Sequence, residues 1–125
     1  ESLDLVRKIF KTIGETIPVD ESLLDVVTAL SGSGPGFLFR CIESLSKAGI
    51  KEGLDPEVSE KLARYVAIGT GGLLESTNES VSILRAGVTS KGGTTEAGLE
   101  QLEIENIDVI FEKVIGRSKQ RSIEL

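Results

Sequence analysis

Apolar residues recur at helical spacing along most of this chain, and the first run is Leu3, Val6, Ile9, Phe10 and Ile13, with Ser2 as a cap and Gly14 as its end. That pattern predicts one amphipathic helix. The residues after it, Thr16-Ile17-Pro18-Val19, are short, β-leaning and interrupted by Pro, which suits an edge strand or an extended connector. From Glu21 onward every segment long enough to assign is helical. Leu23, Leu24, Val27 and Leu30 form a short helix that Ser31-Gly32-Ser33-Gly34-Pro35-Gly36 should stop, because three Gly and a Pro within six residues oppose regular winding. Periodicity resumes at Phe37 and runs to Ile50. Its apolar residues surround most of the cylinder, so this helix must be buried on several sides.

Gly53-Leu54-Asp55-Pro56 breaks the chain and restarts it, with Asp55 as N-cap, Pro56 at the first helical position and Glu57 in the first turn. The helix from Pro56 to about Ser76 carries Gly69, Gly71 and Gly72, each costing about 1 kcal/mol relative to Ala. Close approach of another helix backbone would justify them. Ser80 to Gly87 reads as a short helix, Val88 to Gly93 as a loop, and a further helix starts near Thr94. The last helix places Ile107, Ile110, Phe111, Val114 and Ile115 on one stripe and should dissolve into the charged end Arg117 to Leu125. The predicted fold is all-α, a bundle of about six helices over residues 20–125. Residues 1–19 read as the closing helix and strand of an α/β domain, with the boundary near Asp20.

Composition narrows the function classes. At 125 residues and 39% hydrophobic content the chain supports one compact core. Its net charge of −6 lacks the basic excess that would concentrate it on nucleic acid or anionic lipid. No apolar run approaches the roughly 20 residues of a membrane span, so a soluble, cytoplasmic protein is expected. One cysteine, Cys41, forms no internal disulfide, and without His no Cys/His zinc set can be assembled, so no metal is expected. Cys41 and Tyr65 sit in helical runs and read as core residues. A chain that starts at Glu1 inside a helix and contains no Met reads as a piece of a longer protein.

Two segments carry candidate chemistry: Val27 to Gly36, and Val88-Thr89-Ser90-Lys91-Gly92-Gly93-Thr94-Thr95-Glu96-Ala97-Gly98-Leu99. Both set hydroxyls and glycines directly before a helix. This is the layout of an anion site, where backbone N–H groups approach a ligand, hydroxyls add donors and the helix N-terminus contributes positive potential. The same residue types serve as plain caps and turns, and on physical grounds both readings stand. Neither a dinucleotide fingerprint nor a Walker loop is present in the first segment.

Together with Ile42-Glu43-Ser44-Leu45, Ala48 to Leu54 and Arg117-Ser118-Lys119, these segments closely resemble the pyrroline-5-carboxylate reductase family in order and spacing from about Asp20 to the end. The resemblance implies a preceding Rossmann domain that binds NADPH or NADH, leaving this piece without cofactor of its own. It also implies a helical domain that interlocks with its twin into a homodimer, often assembled further. The implied reaction is hydride transfer to the ring imine of 1-pyrroline-5-carboxylate, giving L-proline. The family's carboxylate site maps onto Ser90, Gly92, Gly93, Thr94 and Thr95, with Val88 lining the pocket and Thr95 nearest the substrate as the catalytic candidate. The Ser31 to Gly36 segment would shape the neighbourhood of nicotinamide and substrate. Two departures stand out: Lys91 replaces the family's usual Pro, and the usual His-Pro dipeptide is absent around Glu79-Ser80-Val81. A non-catalytic dimerisation module, or a silent paralogue, is the alternative.

Overall fold

The computed structural model describes residues 2–125, Ser2 by its backbone alone. Among them there is no strand. Helix α1 spans Ser2–Phe10, and α2 is a single turn, Leu24–Val27, entered from a 3-10 turn at Glu21–Leu23. The remaining helices are α3 (Gly34–Lys51), α4 (Pro56–Ser76), α5 (Val81–Gly87), α6 (Thr94–Ile104) and α7 (Ile107–Ile123). The all-α reading holds. The strand expected at Thr16–Val19 does not form: this segment has no regular structure and no described residue offers an edge to pair with it.

The Gly-Pro segment behaves differently from its composition. Helical winding does not stop at Ser31. It widens into a π turn over Thr28–Gly32, with the Ser33 N–H reaching back five residues to the Thr28 carbonyl at 3.0 Å, and α3 begins at Gly34. Pro35 falls within the first turn of α3, where the missing N–H costs nothing. The result is a nearly unbroken helical run from Glu21 to Lys51, long and apolar enough by composition to match a membrane span, against the expectation above. A helix covered by protein passes the same test.

Helices α3 and α4 form a hairpin. Asp55 caps α4 as its sequence predicts, its Oδ1 accepting from the amides of Glu57 at 2.9 Å and Val58 at 3.2 Å. The Ser59 hydroxyl of α4 donates to the Ser46 carbonyl of α3 at 2.7 Å. Helix α7 does not dissolve at Arg117. Its last two turns lie against the start of the helical run, where Ser122 Oγ donates to Asp25 Oδ1 at 2.7 Å and Ser118 Oγ donates to Ser33 Oγ at 3.3 Å. These tertiary bonds, added to good helix formers such as Lys119, Gln120 and Arg121, carry the helix to Ile123. Between α6 and α7 the chain reverses at Asn106, the one described non-Gly residue with positive φ, at 54°. Asn tolerates that conformation because its short amide bonds locally, here to the Ile104 carbonyl at 3.3 Å.

What the protomer lacks is a core. Among the described residues only Ala29, Ser59 and Ala63 are buried. Phe39 is 66% exposed, Tyr65 60% and Val66 59%. Cys41 is exposed too, so neither it nor Tyr65 is a core residue of this single chain. A compact monomer of 13.3 kDa exposes roughly 6,500 Å². This chain exposes 10520 Å². The excess, roughly 4,000 Å², is more than the roughly 1,000–2,500 Å² that one partner buries in most obligate interfaces.

Candidate functional site

The second motif segment forms a tight turn ahead of α6. The Gly93 N–H donates to the Ser90 carbonyl at 3.0 Å, closing Ser90-Lys91-Gly92-Gly93 into a four-residue turn. Gly92, its third residue, has φ of +72°, while Lys91 is not in the positive-φ region. That combination is a type II turn, which requires Gly at its third position and favours Pro at its second. Lys91 therefore stands at the position best suited to Pro. Gly93 is constrained for another reason: a Cβ there would run into the Ser90 hydroxyl and lie 3.0 Å from the Ser90 carbonyl oxygen.

The donors of this turn divide into two sets. The Gly92 N–H is taken by Glu96 Oε2 at 2.7 Å and the Gly93 N–H by the turn itself. Thr89 uses its hydroxyl on the Arg85 carbonyl at 2.7 Å. The donors with no described acceptor include the amides of Thr94, Thr95 and Glu96 in the first turn of α6, the amides of Ser90 and Lys91 in the turn itself, and the hydroxyls of Ser90, Thr94 and Thr95. Gly93 supplies no side-chain cap to that helix start. Ser90, Thr94 and Thr95 are exposed, and Val88 stands at the end of α5 with 63% of its surface open. Three open amides at a helix N-terminus, with hydroxyl residues at and beside them in sequence, are donors of the kind that suit a small carboxylate.

The first motif segment lies elsewhere in the protomer. Ser33, directly after its π turn, accepts a hydrogen bond from Ser118 of α7, which joins two of the stretches that carry the family resemblance. Clefts lie between neighbouring helices among the described residues. One, of about 610 Å³, lies between α3 and α4 and is lined by Phe39, Ile42, Ile50, Glu60, Arg64 and Ile68 among others. Another, of about 380 Å³, lies between α5 and α6 and includes Arg85, Thr89, Glu96 and Glu100. Neither joins the two motif segments. No described group of three or more His, Cys, Asp or Glu side chains is arranged to hold a metal ion.

Sequence reasoning placed the turn, its glycines and its hydroxyls correctly in one short segment, but did not find Glu96. The signal was present, since an acid three positions beyond the Gly93 cap can reach back as in a capping box.

An all-helical arrangement of the described residues with almost no core of its own defines the class: a subunit-pairing domain. Residues 21–125 match the family described as pyrroline-5-carboxylate reductase dimerisation, and the chain belongs to that family. It is 42% identical over its full length to a pyrroline-5-carboxylate reductase of Staphylococcus aureus strain COL and 39% identical to that of Staphylococcus haemolyticus, covering 46% of each relative. Among solved structures, a Coxiella burnetii pyrroline-5-carboxylate reductase superimposes with a TM-score of 0.90 at 34% identity, over 98% of this chain and 46% of that one. A Plasmodium falciparum pyrroline carboxylate reductase with NADP bound gives 0.81 at 30% identity, over 96% and 46%. The chain spans about half the length of these relatives.

Proposed function

We propose that this chain is the substrate-holding and subunit-pairing half of a cytoplasmic, NADPH- or NADH-dependent pyrroline-5-carboxylate reductase, in which two copies interlock as a homodimer. The observation that carries this reading is the closed Ser90–Gly93 turn at the start of α6, where three amides of the helix and the exposed Ser90, Thr94 and Thr95 hydroxyls have no described acceptor. Family membership supports it. The exposed apolar faces of α3 and α4 support the pairing: a Cβ at Gly69, Gly71 or Gly72 would meet nothing of this chain within 4 Å, so the close helix approach these glycines suggest would come from the second copy. Residues 1–19 are then the tail of the cofactor domain. The apolar face of α1, with Leu3, Val6 and Ile9 exposed, has that domain to cover it.

In this reading the substrate carboxylate sits on the Thr94 and Thr95 amides, and the Ser90, Thr94 and Thr95 hydroxyls complete its coordination, with Gly92 and Gly93 shaping the turn and Val88 forming an apolar wall. The preceding domain would hold the nicotinamide, whose chemistry there would be hydride donation to the imine carbon. The ring nitrogen, protonated to the iminium, takes up the electron pair of the C=N bond, and the product is the secondary amine L-proline. Thr95 lies nearest the ring and orients it. Fixing both ends of the substrate lowers the barrier by positioning, and no His is required because water or a hydroxyl delivers the proton. The site is incomplete in one copy. The Ser31–Gly36 segment that would border the nicotinamide faces α7 rather than the α6 turn, and the twin subunit is the natural source of the missing wall.

The test is an assay of the full-length protein with 1-pyrroline-5-carboxylate and either cofactor, following nicotinamide oxidation and L-proline formation together. Stoichiometric proline is the expected result. A folded dimer that binds cofactor and makes no proline would leave a pairing module without catalysis.

A further inference from the structure

We propose that Glu96 is a positioning residue of the α6 turn, holding the Ser90 hydroxyl in register with the Thr94 and Thr95 amides; this rests on the carboxylate-site reading above. The argument starts from the turn type. A type II turn differs from a type I turn by a flip of its central peptide, here Lys91–Gly92, and nothing inside the Ser90–Gly93 turn prevents that flip because its closing bond is common to both forms. The Gly92 N–H belongs to the central peptide. Glu96 Oε2 accepts from it at 2.7 Å, a charge-assisted bond and the only described contact that fixes this plane.

Glu96 itself is well placed to do so. It is the third residue of α6 and half-buried, lining the cleft between α5 and α6 beside Arg85 and Thr89. Its backbone moves with the helix whose amides receive the ligand, so one side chain ties the loop that presents Ser90 to the helix that presents Thr94 and Thr95. The bond also removes the Gly92 donor from competition for a substrate carboxylate. Its negative charge is tolerated there because the helix N-terminus is positive and because Lys91, with no ion-pair partner among the described residues, stands next in the turn.

The test uses the full-length enzyme with Glu96→Ala and Glu96→Gln. The amide oxygen of Gln preserves the acceptor without the charge. In Glu96→Ala the Michaelis constant for 1-pyrroline-5-carboxylate should rise about tenfold, with kcat within about threefold of wild type and the melting temperature nearly unchanged. The Gly92 amide should exchange with solvent about ten times faster. Glu96→Gln should restore both quantities to within about threefold of wild type. Unchanged KM in Glu96→Ala with faster Gly92 exchange would overturn the proposal while leaving the carboxylate site standing. A lowered KM would overturn it too, because Glu96 would then be a competitor of the substrate. A wild-type enzyme that reduces nothing would remove the functional reading, and this proposal with it.

Discussion

Ser59 Oγ donates to the Ser46 carbonyl at 2.7 Å at the place where Gly49 has no side chain to obstruct it. A Cβ on Gly49 would collide with that hydroxyl and come within 3.1 Å of Leu54 Cδ1. Gly49→Ala therefore has two opposed effects: it gains about 1 kcal/mol of helix propensity and displaces a buried hydroxyl from its bond. Displacement should win in the wild-type background, with a net cost of about 1–2 kcal/mol. In a Ser59→Ala background the hydroxyl is gone and the same substitution should be close to neutral. A double-mutant cycle by chemical denaturation checks this, and additive costs would show that the two residues are uncoupled.

Pairing is the next expectation. A chain exposing 10520 Å², with three buried residues among those described, has too little core to fold stably alone. The isolated chain should sediment as a homodimer at micromolar concentration, and its melting temperature should rise with protein concentration. A folded, concentration-independent monomer would contradict both this and the placement of α3 and α4 at the interface.

Thr95→Ala in the full-length enzyme removes one hydroxyl that makes no bond within the chain, at an exposed helix start. Stability should fall by no more than about 1 kcal/mol. Loss of a hydroxyl bonded to a charged group should lower kcat/KM roughly 10- to 100-fold, about 1.5–3 kcal/mol. Thr94→Ala should be milder. Wild-type kinetics in Thr95→Ala with the dimer intact would return this turn to the role of a helix cap.

The type II geometry makes a separate prediction at Lys91. No described hydrogen bond uses the Lys91 amide, and its place in the turn is the one Pro prefers. Lys91→Pro should leave the turn intact and stabilise the protein by about 0.5–1 kcal/mol through the unfolded state. Gly92→Ala, in contrast, forces a side chain into φ of +72° and should destabilise by about 1–2 kcal/mol while depressing kcat/KM. Thermal melts beside steady-state kinetics separate the two.

Much of this protein follows from local sequence. Helical period, the Asp55-Pro56 restart and the hydroxyl-rich turn before Thr94 are set within a few residues of one another, because caps and turns are satisfied by neighbours. Of the two readings of Thr16–Val19, the structure shows the connector and not the strand, because a strand exists only through a partner and none is among the described residues. Ser31–Gly36 does not end its helix, since a π turn absorbs the glycines and Ser33 is bonded to Ser118, 85 residues away. Helix α7 likewise outlasts its apolar stripe because Ser122 finds Asp25 across 97 residues. The Ser90–Thr95 segment is readable from its residue types, but which of its amides stay open is decided by Glu96 turning back onto Gly92. Local chemistry thus determined the helices and the kind of site. Tertiary structure alone decided where winding continues, which donors remain free, and that the apolar faces of α3 and α4 find no cover within the chain, because each depends on groups that sequence distance does not reveal.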